Sequence, residues 1–362
     1  METLTLSAFA NEILDQGRVP LHGTLELTFR CNMRCGFCYC PATPESLPEP
    51  ELSAQELRRI IDEIAGAGCL TLLLTGGEPL VRHDFKEIYT YIRKQGIFIT
   101  LFTYGTCLSE DVAHVLCAYP PKKVEITMYG ATRRTHEKVT GIPGSFAACR
   151  RGIELALARR LPLALKSTVS IANYQEIPLM MKMAQELGVD YRWDPMLDPR
   201  LDGGQTPCEH RLAPHQIVGI DRLDPEKVAG FRRLCARATQ IADRELVYIC
   251  GAGEGSFHID PYGRMSMCSL TRYAAYNLRR GSFRQGFYQH FPRLRAQRFG
   301  EGLVAPCADC RLLNLCTNCP GTAFLENACL HQPSRFHCEV ARLRSLEAGA
   351  APIKGSNGSL PV

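Results

Sequence analysis

From about residue 23 to about residue 194, short apolar runs alternate with amphipathic segments six times in succession. GTLELTF precedes a segment that opens Ser53-Ala-Gln-Glu56, the form of a helix capping box. LTLLLTGG has the length of a buried strand, and DFKEIYTYIRKQ after it reads as a helix closed by Gly96. IFITLFT leads into a helix expected over Ser109 to Cys117, and KKVEITMYG into one over Phe146 to Arg160. LPLALKSTVS precedes a helix after Asn173, and GVDYRWD is a sixth strand. Strands joined by helix-length crossovers run parallel, so the pattern implies an α/β fold.

The chemically unusual residues stand where these strands end. Cys31, Cys35 and Cys38, spaced CxxxCxxC, follow the first run, and Thr75-Gly76-Gly77-Glu78-Pro79 closes the second. Thr103-Tyr104-Gly105, Thr127 with Tyr129-Gly130, Lys166 to Thr168, and Trp193-Asp194 end the other four. Three thiolates on one short loop can hold three corners of an iron–sulfur cluster and leave the fourth iron without a protein ligand. A tetrahedral zinc site would want a fourth Cys or His, for which Cys40 is the nearest residue.

A second group of cysteines follows residue 245. Cys250 and Cys268 flank Asp-Pro-Tyr-Gly263, a turn between SFHI and RMSMC that reads as a β-hairpin. Cys307, Cys310, Cys316, Cys319 and Cys338 complete seven thiols within about ninety residues, nearly enough for two four-ligand clusters. CxxC pairs alone could form a zinc ribbon; the N-terminal cysteine loop and Gly-Gly-Glu-Pro favour iron. The chain has eighteen cysteines in 362 residues, and its first twenty residues lack a basic start followed by an apolar stretch. The thiols are therefore expected to be metal ligands in a cytoplasmic protein rather than disulfides. No run is long enough to span a bilayer, and a net charge of +5 spread over many arginines does not imply nucleic acid.

CxxxCxxC followed by Gly-Gly-Glu-Pro resembles the radical S-adenosylmethionine (SAM) enzymes, and the C-terminal cysteines resemble the SPASM domain that extends many of them. The resemblance implies a partial (β/α)6 TIM-like barrel over residues 23–194 after an N-terminal extension, 1–22. A connector over 195–245, a small Cys-rich SPASM domain with a β-hairpin over 246–345 and a disordered tail over 346–362 would follow. It implies a 4Fe-4S cluster on Cys31, Cys35 and Cys38 whose free iron binds SAM, with Phe37 near the adenine. Gly76, Gly77 and Glu78 would meet the methionine amino group, and Thr127 would contact SAM. Thr103, Lys166 and Thr140 are further candidate SAM contacts, Thr140 toward the carboxylate. Family members usually carry Ser-x-Asp at the end of strand four, where this chain has Thr127-Met-Tyr129.

By the same resemblance, Cys250, Cys268 and Cys319 hold a first auxiliary cluster, and Cys307, Cys310, Cys316 and Cys338 a second. The usual pattern has CxxxC where this chain has Cys316-Thr-Asn-Cys319. The first auxiliary cluster then has an open iron or takes His258 as a fourth ligand. The activity implied is reductive cleavage of SAM to a 5′-deoxyadenosyl radical that abstracts hydrogen from a peptide or protein, with crosslinking, and a thioether above all, as the expected outcome. An electron donor such as flavodoxin or ferredoxin is implied. Only about twenty residues precede strand one, so a leader-peptide grip is expected from a separate small protein. Alternatives are a sulfatase-maturase-like dehydrogenase, a SPASM enzyme acting on a small molecule or porphyrin, and a non-enzymatic iron–sulfur electron carrier.

Overall fold

The structure, a computed structural model, describes residues 17–41, 50–236, 245–299, 310, 312–316 and 319–349. The expected tail after 349, most of the N-terminal extension and Cys307 lie outside these residues. Two compact units are present: one runs to Arg211 and includes Tyr248–Gln297, and the other comprises Leu212–Val247 with the chain from Arg298 onward.

In the first unit, β1 (His22–Thr28), β2 (Thr71–Gly76), β3 (Phe98–Thr103), β4 (Lys123–Thr127), β5 (Leu163–Thr168) and β6 (Asp190–Asp194) pair in sequence order, all parallel. The crossovers include α1 (Ala54–Gly66), α2 (Phe85–Lys94), α3 (Glu110–Ala118), α4 (Arg133–Thr140), α5 (Ser145–Ala158) and α6 (Ile177–Glu186). The α/β repeat expected from sequence is therefore present. Helix α4, between β4 and α5, is an addition: its eight residues carry too few apolar side chains to announce a helix. On α1, Leu57, Ile60, Ile61 and Ile64 are the buried stripe at helical spacing, and Ser53 forms the full capping box with Glu56.

The hairpin, β7 (Ser256–Ile259) and β8 (Arg264–Ser266), does not stand apart from this sheet. β7 pairs in parallel with β1, and β9 (Tyr276–Asn277) continues antiparallel from β8, giving the order β6-β5-β4-β3-β2-β1-β7-β8-β9. The edge of β1 is thus covered, which satisfies its backbone groups and brings the hairpin's residues beside the β1 side chains. In the second unit, α7 (Pro214–Asp221), α8 (Pro225–Ala236), α9 (Pro320–Asn327) and α10 (Arg335–Glu347) pack together, and buried Asp221 pairs with Arg344 at 2.8 Å and Lys227 at 2.6 Å. Among the described residues no helix is long and apolar enough to cross a membrane.

Ser53→Ala removes a side-chain acceptor from the start of α1 and is expected to cost about 1 kcal/mol of stability, read as a shift of the urea midpoint of the metal-free protein. An unchanged midpoint would show that α1 does not depend on this cap.

Candidate active site

The cysteine loop leaves β1 and is tied down by backbone bonds to two neighbouring segments, the end of β2 and the end of α4. Gly77 N–H donates to the Thr28 carbonyl at 2.7 Å, Glu78 N–H to that of Arg30 at 3.0 Å, and Arg34 N–H to that of Thr140 at 2.8 Å. This proximity requires the two glycines: a Cβ on Gly76 would lie 2.2 Å from the Thr28 oxygen, and one on Gly77 2.4 Å from the Arg30 oxygen. Gly76 also has φ +130°, which L side chains rarely adopt. Within the loop, Cys38 N–H donates to the Cys35 carbonyl and Met33 N–H to Cys31 Sγ at 3.3 Å.

The loop forms one wall of a cavity of about 510 Å³. Alternate residues of neighbouring strands point into it, as a pleated strand demands: Thr24 and Glu26 on β1, Leu73 and Thr75 on β2, Lys166 and Thr168 on β5. Of the residues singled out in sequence, Cys31, Cys35, Cys38, Phe37, Gly76, Gly77, Thr103, Thr127 and Lys166 all line it. Phe37 meets Tyr129 edge-on at 5.3 Å, and the hydroxyls of Tyr129 and Tyr104 are 3.3 Å apart. Lys166 is half-buried with its Nζ 3.0 Å from the centre of the Phe102 ring, and loss of solvent there pushes its pKa well below that of a free lysine.

Glu78 and Thr140 are not among the lining residues. The Glu78 carboxylate is fully buried and accepts from Leu80 N–H at 3.0 Å, Tyr104 N–H at 2.7 Å and Thr103 Oγ1 at 2.8 Å. Its visible work is to pin the end of β3 to the end of β2, and it engages the Thr103 hydroxyl in doing so. The Thr140 hydroxyl faces Ser145 Oγ at 2.7 Å. Both residue types were legible in sequence; the direction of their side chains was not.

Residues 25–182 match the family model of the Radical SAM superfamily. The AdoMet-dependent heme synthase of Methanosarcina barkeri is 28% identical over 340 residues, covering 86% of this chain and 96% of that protein. The subtilosin biosynthesis protein AlbA of Bacillus subtilis is 28% identical over 263 residues, 70% of this chain and 55% of AlbA. Streptococcus suis SuiB, solved bound to its precursor peptide SuiA, superposes with a TM-score of 0.65 at 15% identity over 92% of this chain and 79% of that one. The chain carries a radical SAM domain and is similar to radical SAM enzymes of the SPASM type.

Its cofactors, a 4Fe-4S cluster and SAM, fit the donors present. Burial pushes the Cys31 and Cys35 thiols up to about 12, so adjacent thiolates are stable there only where a metal displaces the protons. A hydrogen bond from Cys40 holds Cys38 at about 7 against the opposing effect of burial. Among the described residues no three His, Cys, Asp or Glu side chains are set to hold a single ion. When bound, the cluster supplies the electron that cleaves SAM.

The downstream cysteines are placed in both units. Cys268 lines the same cavity as the radical SAM cysteines, and Cys250 is exposed nearby in sequence, its carbonyl accepting from Arg295 at 2.5 Å. In the second unit, Cys338 lies near enough to Cys310 for their charges to interact, Cys316 packs beside Leu315, and Cys319 Sγ accepts from Thr322 N–H at 3.4 Å at the start of α9. Sequence reasoning missed the buried polar group of Glu26, Tyr39 and Arg272 around His258. A signal was present, since Glu26 is the one acidic residue of β1 and stands at an inward position.

Gly77→Ala is expected to push the loop off its tether and cost the first cluster, so that reconstituted protein holds about four fewer iron atoms per chain. Full iron with normal 5′-deoxyadenosine formation would show that the tether is dispensable.

Proposed function

We propose that this radical SAM enzyme crosslinks a ribosomally made peptide, closing a thioether between a cysteine sulfur and a carbon from which the 5′-deoxyadenosyl radical has taken hydrogen, the thiol losing its proton and the surplus electron passing to the auxiliary cluster that Cys268 would help to hold. The observation that carries the reading is that Cys31, Cys35 and Cys38 share one cavity with Cys268. A substrate there would lie between the SAM cysteines and an auxiliary ligand. In this reading Cys250, Cys268 and Cys319 hold one auxiliary cluster, and Cys307, Cys310, Cys316 and Cys338 a second, the division into barrel, connector and SPASM region being as drawn from sequence. A thiolate is a soft ligand suited to iron, which favours a sulfur-containing peptide over other substrates of the class. AlbA and SuiB, the latter seen with a precursor peptide, support the peptide class.

The residues of the barrel would divide the work. Gly76, Gly77, Thr127 and Lys166 would bound the SAM site, Phe37 and Tyr129 would pack against its adenine, and the inward-facing residues of β1 and β7 would meet the peptide. A flavodoxin or ferredoxin would supply electrons and a separate small protein would grip the leader, in the cytoplasm. A porphyrin substrate is the second reading, favoured by the heme synthase, of which this chain covers 96%.

The test is anaerobic incubation of reconstituted enzyme with SAM, dithionite and each short peptide encoded beside its gene. The expected product has lost two hydrogens per crosslink by mass spectrometry, and the Cys→Ser peptide is not modified. Conversion of an iron porphyrin with no peptide modified would replace the reading. A variant with Cys31, Cys35 and Cys38 changed to Ala should form no 5′-deoxyadenosine, and cleavage at the parent rate would mean that the catalytic cluster lies elsewhere.

A further inference from the structure

The cavity wall formed by β1 and β7 carries a buried polar group that neither the cluster nor SAM requires. Glu26 is 1% exposed. It accepts from Arg272 Nη2 at 2.7 Å and from Tyr39 Oη at 2.9 Å. Burial alone would push the Glu26 carboxyl up, but His258 and Arg272 outweigh it and hold it at about 2, so it is an anion. His258, 2% exposed, lines the cavity with Glu26 and Cys268. Its Nε2 lies 3.3 Å from Arg272 Nη2 and 3.5 Å from Glu26 Oε2. Its Nδ1 is buried and has no hydrogen-bond partner among the described residues.

These distances fix what Nδ1 is. A guanidinium can only donate, so a neutral His258 bonded to Arg272 must accept at Nε2 and carry its proton on Nδ1. If His258 is instead protonated and pairs with Glu26, Nδ1 carries a proton as well. The remaining form, with the proton on Nε2 alone, could donate only to Glu26 Oε2 at 3.5 Å, the limit of a hydrogen bond, while setting that N–H against the guanidinium 3.3 Å away, and is the weaker arrangement. Nδ1 is therefore a donor in both favourable states, and a buried donor without an acceptor costs stability until one arrives. The groups around it supply no excess positive charge: Arg272 is matched by Glu26, and Asp260 Oδ2 lies 3.7 Å from the same guanidinium. A neutral acceptor suits this place better than a carboxylate.

We infer that His258 is a substrate-positioning residue whose Nδ1–H takes a backbone carbonyl of the peptide, with Arg272 and Glu26 fixing the ring's protonation pattern. The inference rests on the peptide reading above. Arg272 also donates to the Ser269 carbonyl at 2.9 Å, so the same guanidinium steadies the segment that carries Cys268 into the cavity.

The experiment uses the reconstituted holoenzyme and the peptide that passes the mass-shift assay. His258→Ala and His258→Gln, which lack a donor at the Nδ1 position, are expected to raise KM about tenfold with a smaller change in kcat. His258→Asn, whose amide nitrogen can occupy that position, should recover most of the loss. Replacing peptide amides one at a time by esters, which are weaker acceptors, should reveal one position that raises KM in the parent enzyme and not in His258→Ala. Equal iron content and melting temperature check that the variants fold; if they do not, the ester series on the parent decides alone, and a flat series overturns the inference. KM unchanged in His258→Ala, or recovery by Gln in place of Asn, overturns the inference and leaves the peptide reading standing. If no peptide is modified and an iron porphyrin with propionate arms is converted, both fall.

Discussion

The catalytic end of the barrel depends on how closely the ends of β1 and β2 approach. The carbonyl oxygens of Thr28, at the end of β1, and Arg30, in the cysteine loop, lie within 2.4 Å of where Cβ atoms on Gly76 and Gly77 would be, so no other residue permits this backbone contact without displacement. Glu78, the next residue, extends the junction to β3 through its buried carboxylate. Three strand ends are thereby locked before any cofactor binds. Such preorganisation matters because SAM cleavage by one electron can go astray whenever the reacting groups are loosely held. The Gly-Gly-Glu sequence here is first a structural joint, and only its glycines reach the cavity.

The parallel core was legible because each strand and helix carries its own pattern: α1 has buried residues at i, i+3, i+4 and i+7, and β2 is centred on the apolar run Leu72-Leu73-Leu74. The cysteine loop was legible because thiols at that spacing have few other uses. Less legible was the joining of β7 to β1. β7 has four residues, and pairing between strands more than two hundred residues apart leaves no local trace. Helix α4 was hidden for a related reason, since its stability comes from the Thr132 cap and from tertiary packing of His136 and Val139 rather than from an apolar stripe. His258 was noticed as a possible ligand, but its role depends on Glu26 and Arg272, and their meeting follows from the sheet order alone.

Charge inside this barrel is arranged by position. On the β4–β6 side, Glu125 pairs with Arg192 at 2.6 Å and Lys166 sits over Phe102; on the β1–β7 side, Glu26 pairs with Arg272. Burying Glu26 alone would be costly, and its pairing with Arg272 offsets part of that cost while leaving the wall polar; Arg192, its side chain 54% exposed, pairs with Glu125 at the surface. A barrel built only for stability would fill this space with branched apolar side chains. The polar lining is therefore better understood as a surface for ligands.

The balance of that surface separates the possible occupants. The cavity is lined by the carboxylates of Glu26, Asp194 and Asp198 and, among lysines and arginines, by Lys166. A sulfonium and an ammonium, both present in SAM, are matched by carboxylates across a low-dielectric space. A porphyrin bearing several propionates would have to bring further negative charge into the same space, against repulsion that burial strengthens. A peptide segment brings neutral amides, which need donors and acceptors rather than counter-charges. With Arg272 already committed to Glu26, the β1–β7 wall has little cationic capacity left for carboxylates, and the unpartnered buried Nδ1 of His258 is the kind of group an amide carbonyl can satisfy.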